Sequence, residues 1–197
     1  MDMPPEDGGE EHHIGSLVID SPGLTGSTAV ANHDNEKFLR CFSSARRLNL
    51  YLSESMVACG CCKNIKFPRL TDLVVNALTV HWLEPVMFLL HNSPKLKTLT
   101  LYTTGCPQCS WNQPSTIPQC LSSHLEIVQW LYYEGKEDEK QPMKYILANS
   151  KCLKTVEMSF IAKCDLKEWQ KELEAMPRIS ASSRFLYCNP VLDWSSS

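Results

Sequence analysis

Two pairs of cysteines are the residues in this sequence best suited to bind a metal ion. Two residues separate Cys59 from Cys62, and two separate Cys106 from Cys109. Such pairs can together supply four thiolates to a tetrahedral zinc ion. The 43 residues between the pairs exceed the spacing of ordinary zinc ribbons. Structural thiols in loops are the favoured interpretation, so no cofactor is predicted, and a zinc-stabilised structural domain stays an alternative.

Catalytic motifs are absent from the sequence. It contains no phosphate-binding glycine loop, no paired catalytic carboxylates and no nucleophile motif with a partner base. His81, His91 and His124 flank apolar segments and adjoin no nucleophile motif. The sequence therefore predicts a protein that is not an enzyme.

Charge and hydropathy exclude two classes of partner. The chain has 19 Lys and Arg against 22 Asp and Glu, a net charge of −3, which predicts no nucleic-acid partner. Residues 80–90 form the most apolar stretch, and it is too short and too polar to cross a bilayer. Residues 1–11 are acidic and glycine-rich, unlike a secretory signal. We expect a cytoplasmic or nuclear protein with no membrane partner.

A repeated pattern of apolar residues organises the chain. Apolar side chains recur at offsets 0, 3 and 5 in five segments: Ala45/Leu48/Leu50, Leu70/Leu73/Val75, Leu96/Leu99/Leu101, Leu125/Val128/Trp130 and Leu153/Val156/Met158. The segments start 25, 26, 29 and 28 residues apart, which matches the period of about 20 to 29 residues of leucine-rich repeats. The pattern predicts an α/β fold, a short leucine-rich-repeat solenoid with parallel strands on its concave face and helical or irregular returns on its convex face.

The alternation within each predicted strand separates a core face from a binding face. The second and third apolar residues of each segment are predicted to point inward, and their neighbours to line the concave face. The candidate partner-binding residues are Asn49, Tyr51, Asn76, Thr100, Tyr102, Gln129, Leu131 and Glu157. Of the tryptophans at 111, 130 and 169, only Trp111 stays a candidate interface anchor, because the other two fall on predicted core positions.

The chain divides into three predicted regions. Residues 1–32, rich in Glu, Gly, Ser and Thr, are predicted to be a disordered tail with a degenerate repeat remnant around residues 17–24. Residues 33–104 are predicted to form leucine-rich repeats, and residues 105–197 a final module that continues the array.

Several Trp, Pro and Gly landmarks in that final module carry a family resemblance. The matching segments are residues 111–114 (Trp-Asn-Gln-Pro) with 117–121, His124 to Glu126 with Trp130 and Gly135, residues 144–150 with 152–155, and Met176 to Ser180. From Trp111 onward the sequence resembles the FBD domain, the C-terminal module of plant F-box/LRR proteins. The preceding part resembles the leucine-rich-repeat portion of those proteins.

The resemblance implies a non-catalytic protein–protein interaction module, similar to the substrate-recognition part of an F-box/LRR ubiquitin-ligase receptor. The family's F-box, which docks onto the adaptor of a cullin ligase, has no counterpart in these 197 residues. Direct docking onto that adaptor is therefore not expected, and the protein partner is unidentified. A truncated gene product without an independent function is the second hypothesis, alongside the zinc-stabilised domain.

Overall fold

A computed structural model describes residues 16–20, 28–30, 39–52, 65–77, 81–103, 111–160 and 166–188. These residues form an α/β structure with eight strands in one sheet and four helices. The strands are β1 (Ser16–Asp20), β2 (Thr28–Val30), β3 (Arg47–Leu52), β4 (Asp72–Ala77), β5 (Thr98–Thr103), β6 (Ile127–Tyr133), β7 (Thr155–Phe160) and β8 (Arg184–Cys188). The helices are α1 (Leu83–Asn92), α2 (Gln119–Ser123), α3 (Glu137–Asn149) and α4 (Leu166–Glu174).

The strands lie side by side in nearly the order in which the chain makes them. From β3 to β8 every neighbouring pair is parallel, and the sheet order is β2-β1-β3-β4-β5-β6-β7-β8. Parallel neighbours need a crossover of a dozen or more residues, which the repeat spacing of 25 to 29 residues accommodates. The α/β class and the five predicted strands are thus confirmed, and β8 adds a strand that the sequence pattern did not predict.

Two short strands lie within residues 1–32, for which the sequence predicts a disordered tail with a degenerate repeat remnant. The structure places both of them, β1 and β2, in the sheet. Strand β1 includes the segment 17–19 of the predicted repeat remnant, yet it pairs antiparallel to both β2 and β3. A regular repeat strand would run parallel to β3, so β1 differs in direction from the strands that follow it. The predicted domain limits, including that of residues 1–32, stay predictions.

The ten predicted inward residues form the floor of the core. Each of them, from Leu48 on β3 to Met158 on β7, is at most 1% exposed. Full burial of such side chains contributes roughly 1.5 to 3 kcal/mol each. Side chains of α1 and α3 cover this floor, among them Val86, Leu90 and Ile146. The inward face of the sheet is therefore sealed, as the alternation predicts.

Aromatic side chains continue the core toward its C-terminal end. The rings of Trp82, Trp130, Tyr133 and Phe160 form a chain of edge contacts with centroids 5.4 to 6.1 Å apart. Phe160 in turn stacks on Tyr187 of β8 at 5.9 Å. The indole nitrogen of Trp130 donates a hydrogen bond to Thr103 Oγ1 at 3.0 Å. Strand β8 therefore closes one end of the same core.

A repeated backbone contact aligns the starts of the strands. The carbonyl of Arg46 accepts hydrogen bonds from the amides of Thr71 and Asp72, at 2.8 and 3.1 Å. The carbonyls of Thr71, Lys97 and Glu126 accept the corresponding pairs of amides from the next turn of the chain, and that of Lys154 accepts the Arg184 amide. Equivalent residues of successive turns are thus stacked at one end of the sheet.

The described helices bury apolar side chains. Helix α1 buries Val86, Leu89 and Leu90, and α3 buries Met143, Ile146 and Leu147. Helix α4 begins at Leu166 and ends at Glu174, and Met176 is buried just beyond it. Within the described ranges, no helix is both long and apolar enough to cross a bilayer.

Candidate functional site

The candidate site is the face of the sheet that points away from the core. We call it the open face, formed by the outward residues of β3 to β7 together with Tyr132. Seven of the eight predicted binding residues lie on it and are half-buried: Asn49, Tyr51, Asn76, Tyr102, Gln129, Leu131 and Glu157. Strand register places Tyr51, Asn76, Tyr102 and Leu131 side by side in one row, near the ends of their strands. Four predicted residues thus form a continuous row.

Hydrogen bonds link the polar residues of the open face across the strands. Thr100 Oγ1 donates to Gln129 Oε1 at 2.7 Å, and Gln129 Nε2 donates to Glu157 Oε2 at 2.5 Å. Asn76 Nδ2 donates to Asn49 Oδ1 at 2.7 Å. These bonds fix the side-chain positions, which lowers the entropy that binding would cost.

Thr100 is the most buried of the eight predicted binding residues, at 6% exposure. Its hydroxyl donates to Gln129 and so helps to orient that side chain. Its role in binding stays a prediction.

A bulge in β6 adds an aromatic residue, Tyr132, that is not in the predicted binding set. The register between β6 and β7 shifts between Trp130 and Tyr133, and Tyr132 has a φ of 63°. The extra residue turns Tyr133 into the core, at 1% exposure, while the Tyr132 ring lies 6.4 Å from that of Tyr102. The signal that could have indicated the bulge is the run Leu131-Tyr132-Tyr133, in which residues predicted to face inward and outward are equally apolar or aromatic.

The turn after β6 supports this aromatic corner. Gly135 has a φ of +70°, and a Cβ there would lie 2.6 Å from Trp169 Cε2, so only glycine fits between the turn and α4. Glu139 is 1% exposed and accepts hydrogen bonds from the amides of Glu134 and Lys136, at 3.0 and 3.2 Å, which caps α3. The Gly135 landmark of the sequence thus has a structural purpose.

Burial gives Glu139 an unusual titration. Loss of solvent around the carboxylate raises the pKa of Glu139 from 4.5 to about 7, against the lowering effect of its two amide donors. Neither Glu139 Oε1 nor the Tyr133 hydroxyl has a hydrogen-bond partner among the described residues. The nearby Glu139 charge adds to burial in raising the pKa of Tyr133.

Trp111 lies away from the open face. Its ring packs edge-on against Tyr145 at 5.5 Å and lines a groove of about 320 Å³ beside α1, together with Leu83, Met87, Phe88, His91 and Pro114. The ring nitrogens of His91 lie 2.8 Å from the Met87 carbonyl and 3.0 Å from that of Thr116. His91 therefore joins α1 to the segment that carries Trp111.

The predicted zinc ligands Cys59, Cys62, Cys106 and Cys109 lie outside the described residues. Within the described ranges, no cluster of three or more His, Cys, Asp or Glu side chains is arranged to hold a metal ion. The zinc alternative thus stays a prediction.

Comparison with known proteins places the chain in a family. The FBD family model matches residues 113–158, which include α2, β6 and α3. A putative F-box/FBD/LRR-repeat protein of Arabidopsis thaliana is 50% identical, over 87% of this chain and 42% of the relative. A putative FBD-associated F-box protein of the same plant is 36% identical, over 86% of this chain and 42% of the relative. A further putative F-box/FBD/LRR-repeat protein of Arabidopsis thaliana is 41% identical, over 75% of this chain and 34% of the relative.

The chain thus spans at most 42% of the length of these three relatives. No solved structure matches it significantly. The fold and the family match together define an FBD-containing α/β protein. By sequence, the chain belongs to the family of plant F-box/FBD/LRR-repeat proteins.

Proposed function

We propose that this chain is a non-catalytic protein-interaction module that binds a partner protein through the open face of its sheet. The observation that carries the proposal is the row Tyr51, Asn76, Tyr102 and Leu131 with Tyr132 beside it, a partly exposed aromatic and apolar surface held on rigid strands. Tyrosine in such a setting supplies a large contact area at low entropic cost. The cytoplasm or nucleus is the proposed location.

The proposal includes a leucine-rich-repeat architecture for the region from β3 to β8. Three features support it: the strand order follows the chain, one inward apolar pattern recurs, and equivalent carbonyls stack at the strand starts. In such arrays each repeat contacts its neighbours and the strands form an extended binding surface. The polar chain of Thr100, Gln129 and Glu157 is the type of side-chain ladder that this stacking favours.

The relatives are the reason for including a ubiquitin-ligase role in the proposal. Their names all combine F-box with FBD, and two of the three also contain LRR-repeat. We propose that the open face recognises a protein in the manner of the substrate-recognition part of a ligase receptor. The hypothesis of a product without independent function makes the opposite prediction, because it requires no specific partner.

A pull-down from plant extract with quantitative mass spectrometry tests the open face. The face variant carries Tyr102→Ser and Leu131→Ser. The matched control carries Ile117→Ser and Ile179→Ser, two isoleucines that are 54% and 50% exposed elsewhere on the surface. Loss of two aromatic or apolar contacts is expected to lower partner recovery about tenfold or more, and the control should match the wild type.

The outcome separates the hypotheses. Equal recovery of the same proteins by both variants would exclude the open face as the binding surface. Recovery of chaperones alone by the wild-type chain would favour a product without independent function. Thermal melting of each variant by circular dichroism verifies that the substitutions leave the fold intact.

A further inference from the structure

Cationic side chains concentrate at the end of the sheet where the parallel strands begin. We call this set the basic strip: Arg46, Arg47, Arg69, Lys95, Lys97, Lys151, Lys154 and Arg184. All eight are exposed, and they occupy the strand starts or the turns that lead into them. They are eight of the chain's 19 Lys and Arg residues. This charge density contrasts with the overall net charge of −3.

The stacked backbone holds these residues in line. Backbone hydrogen bonds join the strand starts of β3 to β8. They run from the Arg46 carbonyl through that of Lys97 to the bond between the Lys154 carbonyl and the Arg184 amide. Between the cations, Leu70, Leu96, Leu125 and Leu153 point into the core at 1% exposure or less, so their neighbours in sequence face outward. Five strand spacings of about 4.8 Å give the strip a length of about 24 Å.

Few carboxylates neutralise the strip. Among the described strand starts and the residues just before them, Asp72 and Glu126 are acidic, and the register places Asp20, at the end of the antiparallel strand β1, opposite Arg47. Asp72 forms an ion pair with Arg47, with an N–O distance of 3.8 Å. Glu126 forms ion pairs with Lys154 and Lys97, with N–O distances of 2.5 and 3.9 Å. The hydrogen bond from Lys154 is the main reason that the pKa of Glu126 is lowered. Arg46, Arg69, Lys95, Lys151 and Arg184 make no ion pair with a described residue.

We propose that the basic strip is a docking site for an extended acidic peptide segment of a partner protein. A segment of about seven residues in extended form spans the same length at about 3.3 Å per residue. Its carboxylates, about 6.6 Å apart on one side of an extended chain, would lie within reach of the long Lys and Arg side chains along the strip. Such charge complementarity selects partners and speeds association. This site goes beyond the proposed function, because it requires no contact with the open face.

A peptide fits this surface better than a nucleic acid. The strip contains no aromatic side chain on which bases could stack. The rest of the chain carries an excess of acidic residues, including the exposed Glu137 and Asp138, and these would repel a polyanion longer than the strip. A short acidic segment ends before it reaches them.

Fluorescence anisotropy with labelled peptides tests the proposal on the full chain. The probes are a peptide of about eight residues that alternates Glu and Ser, its Gln counterpart, and a single-stranded oligonucleotide of equal charge. The Glu peptide should bind, lose affinity between about 50 and about 300 mM NaCl, and bind at least about tenfold more tightly than the Gln peptide.

Two sets of charge reversals locate the site. Lys95→Glu, Lys151→Glu and Arg184→Glu together should weaken binding of the Glu peptide about tenfold or more. The matched control, Lys144→Glu, Lys167→Glu and Lys171→Glu on α3 and α4, changes the net charge equally and should weaken it far less. If the first triple variant fails to fold, the corresponding Gln substitutions replace it.

Three results would overturn the proposal: equal binding of the Glu and Gln peptides, equal losses in the two triple variants, or tighter binding of the oligonucleotide than of the Glu peptide. The variant with Tyr102→Ser and Leu131→Ser should keep full affinity for the Glu peptide. This last measurement separates failure of the basic strip from failure of the open face.

Discussion

At the scale of single residues, Glu139 and Gly135 show how one turn shapes the open face. Gly135 adopts a left-handed φ and leaves room for Trp169. The buried carboxylate of Glu139 accepts hydrogen bonds from two backbone amides of the same turn. The turn follows the β6 bulge directly, so the two residues help to hold Tyr132 beside Tyr102. Side chains that never reach the surface thus position part of the candidate site.

Glu139 makes protein stability depend on pH. Its pKa is about 7 in the folded chain and 4.5 without burial, so between these values the folded state keeps a proton that the unfolded state has lost. The free energy of unfolding should therefore fall as pH rises through this window, by about 3 kcal/mol in total. Urea unfolding at several pH values from about 5 to about 8 measures the decline.

Glu139→Gln should remove this decline, because a glutamine side chain does not titrate in this pH range. Its carbonyl oxygen can still accept hydrogen bonds from the two backbone N–H groups. Glu137→Gln serves as the matched control from the same helical turn. The pKa of Glu137 is lowered, chiefly by the hydrogen bond from Gln141, so its loss cannot flatten a decline that occurs as pH rises. An unchanged pH dependence in Glu139→Gln would contradict the assignment.

At the scale of elements, the position of a leucine within the sheet decides its energetic weight. Leu99 lies on β5, fully buried at 0% exposure between two parallel neighbours. Leu186 lies on the edge strand β8 and is 48% exposed. The two side chains are chemically identical, so their burial alone distinguishes them.

Leu99→Ala should lower the free energy of unfolding by about 2 to 5 kcal/mol, because it removes buried contacts and leaves a cavity. Leu186→Ala should change it by less than about 0.5 kcal/mol. Urea denaturation followed by tryptophan fluorescence measures both values. Similar losses in the two variants would show that Leu186 is covered in solution.

At the scale of the whole molecule, neighbour-to-neighbour stacking governs how disturbances spread. Each strand from β3 to β7 pairs with one strand on either side, whereas β8 ends the sheet. Tyr187 anchors β8 by stacking on Phe160 of β7 at 5.9 Å and by donating a hydrogen bond to Glu174 of α4 at 3.2 Å.

Tyr187→Ala should loosen this end of the sheet without loosening its centre. Hydrogen exchange measured by mass spectrometry should show faster exchange in β7 and β8 and unchanged exchange in β4 and β5, because a stack transmits strain mainly to the next layer. Ile179→Ala, at a 50% exposed position, is the control. A uniform loss of protection would show that the chain opens as one unit.

The strand positions and most of the open face were predictable because both depend on local periodicity. The apolar residues at offsets 0, 3 and 5 are enough to identify Leu99 and Leu101 as inward and Tyr102 as outward. Strand β8 escaped this pattern because Ser182 stands at the first of the three apolar positions, before Phe185 and Tyr187. The burial of Thr100 depends on its neighbours on adjacent strands, which its own segment does not specify.

By itself, the sequence determined the α/β class, the inward faces of five strands and the family to which the chain belongs. Only the tertiary structure decided the antiparallel direction of β1, the bulge that brings Tyr132 beside Tyr102, and the alignment of Arg46, Lys97 and Arg184 at one end of the sheet. The physical reason is the distance along the chain between the residues that determine each feature. Alternation along a strand is local, whereas direction, register and the summed charge of stacked turns depend on residues that are distant in the chain.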